Sequence, residues 1–256
     1  FWRGFLMALA LTVFSLVWRR KDPIATRRAL FTRPTLVPSL AISVLFALSS
    51  IAFVTAITTT SVANTLFLIT VAPLFAAAFA RVFLGEPVAP RTIAAIVVTM
   101  AGMAIIFGDG LARGNLLGNV AAVFAAACWA GSLVILRHSP QTNAGLAIAG
   151  GGYLIAAIAL AVAPTLLLAP ADALWLGLLG LVVLPISFGL ISLGPRYLPA
   201  PEVSLIVLLE AVIGPLWAWA FIGQLPTVAS LAGGALIIAT LAVYFYVSGS
   251  RNNGGN

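Results

Sequence analysis

The 256-residue chain is a succession of long apolar runs separated by short polar breaks. Nine runs stand out, at 2–18, 36–57, 61–84, 90–108, 115–136, 144–163, 172–193, 201–222 and 226–247. Each has about the 20 residues that carry an α-helix across roughly 30 Å of hydrocarbon. A transmembrane β-barrel needs segments of about ten residues with alternating polarity, whereas these runs are continuously apolar. The breaks hold charge, Gly or Pro, as in Arg19-Arg20-Lys21-Asp22-Pro23, Gly85-Glu86-Pro87, Asp109-Gly110, Arg137-His138-Ser139-Pro140 and Gln224-Leu225-Pro226. Several breaks are short, so successive helices are expected to be antiparallel neighbours. The pattern predicts an all-α membrane protein.

Composition agrees. Hydrophobic residues make up 62% of the chain and charged residues 7%, against about 25% charged in soluble domains. In water such a surface aggregates, whereas lipid solvates it, so the bilayer is the expected partner. The net charge of +7 points to helix orientation and not to nucleic acid. Arg19, Arg20, Lys21, Arg27, Arg28, Arg33, Arg81, Arg91, Arg137, Arg196 and Arg251 fall on one side, and Arg3 and Arg113 on the other. The positive-inside rule places the larger group in the cytoplasm. The C-terminus is then cytoplasmic, with residues 248–256 as its tail, in a bacterial inner membrane.

Shifting the chain by 138 positions sets Phe83-Leu84-Gly85-Glu86 against Phe221-Ile222-Gly223-Gln224, each closing an apolar run. The same shift sets 34–55 against 172–193, and 6–25 against 144–163. Residues 115–136 then correspond to a segment ahead of residue 1. With five helices per unit the two units run oppositely through the membrane, the inverted-repeat arrangement of secondary transporters. The expected organisation is a ten-helix (5+5) bundle whose first helix is missing from this sequence. Residues 1–108 form the first repeat and 109–247 the second.

Three tracts carry a family resemblance. Ala72-Pro73-Leu74-Phe75 through Phe83-Leu84-Gly85-Glu86 resembles the first-repeat signature of the EamA-type drug/metabolite transporter superfamily. Leu209-Glu210-Ala211 through Phe221-Ile222-Gly223-Gln224 resembles the second-repeat counterpart, and Phe124-Ala125-Ala126-Ala127-Cys128-Trp129-Ala130 the helix that opens the second repeat. The resemblance spans essentially the whole chain and implies ten-helix carriers, mostly exporters of amino acids, other metabolites or drugs. Within the superfamily the chain is similar to YddG-type amino acid exporters. It departs from the pattern at Ala211, where the family usually has Pro, and at Gln224, where it usually has Glu. It also lacks the Trp-Pro pairing associated with exporters of aromatic amino acids.

Glu210 is the most informative residue, because a carboxylate within a span is costly and usually faces the bundle interior or a wet cavity. It is a candidate substrate-amine contact or proton-coupling site, with hydrogen-bonded packing as the alternative. Trp129, in a small-residue run, is a candidate cavity wall, and the resemblance supports that role. Trp217, Tyr153, Asn64, Thr70, Ser132 and Ser187 complete the candidate substrate cavity. Each of these has a bland counterpart in helix packing or back-bonding. Pro73 and Pro215 are candidate hinges, since a proline inside a span removes a backbone hydrogen bond.

These observations favour a secondary transporter that exports amino acids and related small metabolites by alternating access, with protons as a candidate coupling ion. No Walker-type phosphate loop supports direct use of ATP. A single cysteine, Cys128, and a single histidine, His138, exclude an intramolecular disulfide and give no basis for a metal cluster. No cofactor is expected. A channel for small polar solutes is the first alternative. An intramembrane lipid-modifying enzyme or protease is the second, and it lacks a nucleophile–base constellation.

Overall fold

The structure, a computed structural model, describes residues 1–18, 33–108, 115–162, 170–223, 225 and 227–253. Arg19, Arg20, Lys21, Arg27, Arg28, Arg113 and Gln224 therefore lie outside the described residues, as do parts of several expected breaks. The described residues are helical and contain no strand. Eight helical stretches are long and apolar enough to span a membrane, and Trp2–Val17 is a shorter apolar helix. Their bounds follow the hydropathy pattern to within a few residues. At the C-terminus helix continues to Asn253, into the stretch expected as a tail. Large apolar side chains such as Phe14, Val82, Leu190 and Val243 are exposed, the surface that lipid solvates.

Two compact units emerge, and each draws on both halves of the chain. The first comprises Phe1–Ile51 with Gly131–Pro199, the second Ala52–Ala130 with Ala200–Asn256.

The first unit contains α1 (Trp2–Trp18), most of α2 (Arg33–Thr59), the end of α6 (Leu116–His138), and α7 (Ala144–Val162). It also holds α8 (Pro170–Leu178), a π-helical turn (Leu179–Val183) and α9 (Leu184–Tyr197). Helices α1 and α7 form its main pair. A Cβ on Gly4 would meet the Gly152 carbonyl at 3.0 Å, and one on Gly145 would meet Ser15 Oγ at 2.6 Å. Early residues of one helix thus face late residues of the other, so the pair is antiparallel. Glycine at these positions lets the backbones approach closely, as membrane helix pairs commonly require. Ser43 Oγ adds a buried bond to the Ala147 carbonyl at 2.7 Å. At one end, Arg137 donates to the Pro195 carbonyl (3.3 Å) and Arg196 to the Thr142 carbonyl (3.4 Å).

The second unit holds the rest of α2 and α6, and a broken helix, α3 (Val62–Ile69) then α4 (Ala72–Phe79) with a π-helical end (Ala80–Leu84). Helix α5 (Pro90–Phe107) follows. A second broken helix, α10 (Ala200–Val207) then α11 (Glu210–Ile222), precedes α12 (Val228–Asn253). Helices α5 and α12 pack closely and are antiparallel, because Thr92 meets Tyr244 while Gly102 meets Gly233 and Ile237. Their core includes Ile96, Met103, Leu205, Ile237, Leu241 and Tyr244.

The two broken helices superimpose in sequence at one fixed offset. Val62 and Ala200 begin them, Ile69 and Val207 precede the breaks, and Ala72 and Glu210 follow. Pro90 and Val228 begin the next helices. Among the described residues the only positive φ angles belong to Gly85 (65°) and Gly223 (73°), at the same separation of 138 positions (85 to 223). A side chain is strained in that left-handed conformation and glycine is not, so the matching Gly in the two tracts has a backbone cause.

Candidate functional site

The interrupted helices are the most unusual local structures in the second unit. In the first, Pro73 has no N–H and cannot bond the Ile69 carbonyl, so the α-helical ladder stops. Short-range bonds replace it, Thr70 N to the Phe67 carbonyl (3.0 Å) and Val71 N to the Leu68 carbonyl (3.3 Å). The Thr70 hydroxyl also donates to the Phe67 carbonyl at 2.6 Å. Thr70 is fully buried, and its hydroxyl hydrogen is committed to this turn.

The second break has the same form without a proline at the matching position, which Ala211 occupies. Leu208 N bonds the Leu205 carbonyl (3.2 Å) and Leu209 N the Ile206 carbonyl (3.0 Å). Leucine favours helix, so tertiary packing imposes this interruption over local preference. Pro215 lies further on, inside a helix that continues past it. The two hinge candidates therefore differ. Pro73 starts a half-helix, and Pro215 sits within one.

Glu210 is the first residue of α11 and is exposed. At a helix N-terminus its negative charge complements the positive end of the macrodipole. Its counterpart in the first repeat is Ala72, which is buried. The first turn of α10 carries another carboxylate, Glu202, whose counterpart is the neutral Asn64. Both halves of the second broken helix thus begin with an acid, and neither half of the first does.

Asn64 is buried at the start of α3, behind the N-cap Ser61. Its amide donates to Thr60 Oγ1 (3.3 Å), and Thr60 donates to Asn119 Oδ1 (3.2 Å). This chain of polar groups joins the end of α2 to α3 and α6 inside the second unit. Trp129 is half-buried on α6, among buried Ala125, Ala126 and Ala130. Trp217 is exposed and stacks on Phe221 at 5.0 Å.

The remaining candidates belong to the first unit. Ser132 is buried and Ser187 exposed. Tyr153 is partly exposed, and its hydroxyl lies 3.2 Å from Thr12 Oγ1. Since Thr12 gives its hydrogen to the Ala8 carbonyl (2.7 Å), Tyr153 is the donor of that pair. The candidate residues therefore divide between the two units.

A further network carries a carboxylate that the hydropathy reading passed over. Tyr244 donates to Glu202 Oε1 at 2.8 Å, and Thr92 Oγ1 lies 2.9 Å from the same hydroxyl. The available signal was modest. Glu202 is an acid within an apolar run, at the offset position of Asn64. Among the described residues no group of His, Cys, Asp and Glu could hold a metal ion.

The model of the EamA-like transporter family matches residues 1–108 and 116–246. No curated protein matches the chain. A solved crystal structure of a protein aligns with TM-score 0.81 at 19% identity, covering 96% of this chain and 86% of that one. At that identity the likeness speaks to the fold. With the family model matched over nearly the whole length, the chain belongs to the EamA-like transporter family and is a membrane transporter of small solutes.

Proposed function

We propose that the protein exports amino acids and related small metabolites across a bacterial inner membrane by alternating access, as a lipid-embedded ten-helix (5+5) carrier. The observation that carries the reading is the pair of discontinuous helices at one offset, framed by the antiparallel pair α5 and α12. Discontinuous helices at the interface of inverted repeats are where secondary transporters place their substrate sites. The ends of the two family-matched segments, 108 and 246, repeat the same offset.

Glu210 is the group for an amine. An exposed carboxylate at the break can take a substrate ammonium as a charge-assisted hydrogen bond, and that charge class is common to all α-amino acids. Protons are the proposed coupling ion, with the solute gradient alone as the other drive. Under the positive-inside rule the basic loops face the cytoplasm, which puts the C-terminus there too. The YddG-type exporters are the proposed functional relatives.

Flux into proteoliposomes across a panel of amino acids, with and without an imposed pH gradient, tests this reading. Saturable uptake and counter-exchange of several zwitterionic amino acids are expected. Movement of drugs or nucleotide sugars with no zwitterion transported would overturn the substrate class, and flux without counter-exchange would replace the carrier by a channel.

A further inference from the structure

The repeat is symmetric in sequence position and asymmetric in packing. Helices α4 and α10 are the halves of the two broken helices nearer the end that carries Arg81 and Arg91, and they pack together. Their counterparts under the offset, α3 and α11, make no comparable packing. Individual positions repeat the contrast. Ala76 in α4 is fully buried, whereas its counterpart Gly214 in α11 is exposed, with no atom within 4 Å of an added Cβ. Ala72 is buried and its counterpart Glu210 exposed. The second unit is closed at its basic end and parted at the other.

The polar chain Thr92–Tyr244–Glu202 lies at the closed end and joins α5, α12 and α10. Tyr244 has one hydroxyl hydrogen and gives it to Glu202, so Thr92 is the donor to Tyr244. Thr92 and Tyr244 are both buried. Hydrogen bonds in series that end on a carboxylate strengthen one another, and breaking one leaves buried groups unsatisfied.

The counterparts of Thr92, Tyr244 and Glu202 at the other end are Ser230, Ile106 and Asn64. Ile106 has no polar atom, so the chain cannot be built there. Ser230 instead pairs with Thr227 (3.0 Å), and Asn64 donates to Thr60 (3.3 Å). We infer that Thr92, Tyr244 and Glu202 form a one-sided latch that holds the cytoplasmic gate between α4 and α10 shut, and that their three counterpart positions build no matching latch at the opposite gate. The inference rests on the alternating-access reading and assigns its conformational bias to three positioning residues.

Two reporter cysteines at counterpart positions, Ala76→Cys and Gly214→Cys, test it in vesicles of each orientation with a membrane-impermeant maleimide. The chain without an added cysteine gives the background from buried Cys128. Tyr244→Phe keeps the ring and removes both bonds. It should raise labelling at position 76 from the cytoplasmic side on the order of ten-fold, the effect typical of one charge-assisted hydrogen bond, and lower labelling at 214 from the other side. Glu202→Ala should act alike, while Glu202→Gln, which keeps an acceptor for Tyr244, should change labelling far less. Labelling at 76 that stays within two-fold of the parent in both Tyr244→Phe and Glu202→Ala overturns the latch. A rise at 76 with no fall at 214 keeps the latch and overturns alternating access.

Discussion

The two broken helices of the second unit share a backbone and differ in chemistry. Residues 62–84 and 200–222 break at matching positions and end on matching left-handed glycines. The first carries Asn64 and Ala72 where the second carries Glu202 and Glu210. The geometry is duplicated and the charge is not, since of the two broken helices only the second carries acidic residues. The causes of the two breaks differ too. Pro73 interrupts its helix locally, whereas the break at Leu208–Leu209 has no proline at the matching position and depends on its surroundings.

Six substitutions press on that comparison. The largest effect is expected at Glu210. Glu210→Gln removes the charge but keeps the shape, and amino acid flux should fall by about ten- to a hundred-fold, as losing a hydrogen bond to a charged group commonly costs. Ala72→Gly, at the counterpart position, should leave transport within about two-fold, because no side-chain chemistry is assigned there. Flux of Glu210→Gln within two-fold of the parent would remove the amine contact.

A stability effect of about 1–3 kcal/mol is expected for Gly233→Val, since overpacking a tight contact costs that much. A Cβ there would meet the Gly102 carbonyl at 2.5 Å and Ile106 Cγ1 at 2.6 Å. The counterpart of Gly233 is Ala95, so the close crossing of α5 on α12 is not symmetric either. A thermal midpoint in detergent unchanged by Gly233→Val would contradict the described contact. Gly85→Ala and Gly223→Ala should each cost about 1–2 kcal/mol, because both force a side chain into the left-handed region. Near-equal losses are expected, and a loss at one site alone would break the backbone equivalence. The smallest effect belongs to Gly177→Ala, where nothing lies within 4 Å of the new Cβ. Its midpoint should match or slightly exceed that of the parent, as a compatible Gly→Ala change usually does.

Much of the fold was legible because hydropathy is a long-range average that few residues can upset. The spans could be read for that reason, and so could the offset, through the Phe-Leu-Gly-Glu and Phe-Ile-Gly-Gln tracts that surround the positive-φ glycines. Pro73 announced the first break. The second break was silent, since Leu208 and Leu209 favour continuous helix. Glu210 drew attention as a charge within a span, but its position at a half-helix N-terminus depends on that silent break. The Thr92–Tyr244–Glu202 chain was out of reach for a different reason. It joins residues 152 and 42 positions apart, and only the packing of α5, α10 and α12 brings them together. Tyr153 likewise finds Thr12 across 141 positions.

The central claim is that the two gates of the second unit exchange places during transport. Distances between spin labels at Val82 and Ile206, and between labels at their counterparts Ala220 and Leu68, report it directly in the reconstituted protein. Without substrate the first pair should be short and the second long. Saturating mixed amino acids should populate a second state in which the two distances trade values. Distances that do not respond, or that lengthen or shorten together, would contradict the account.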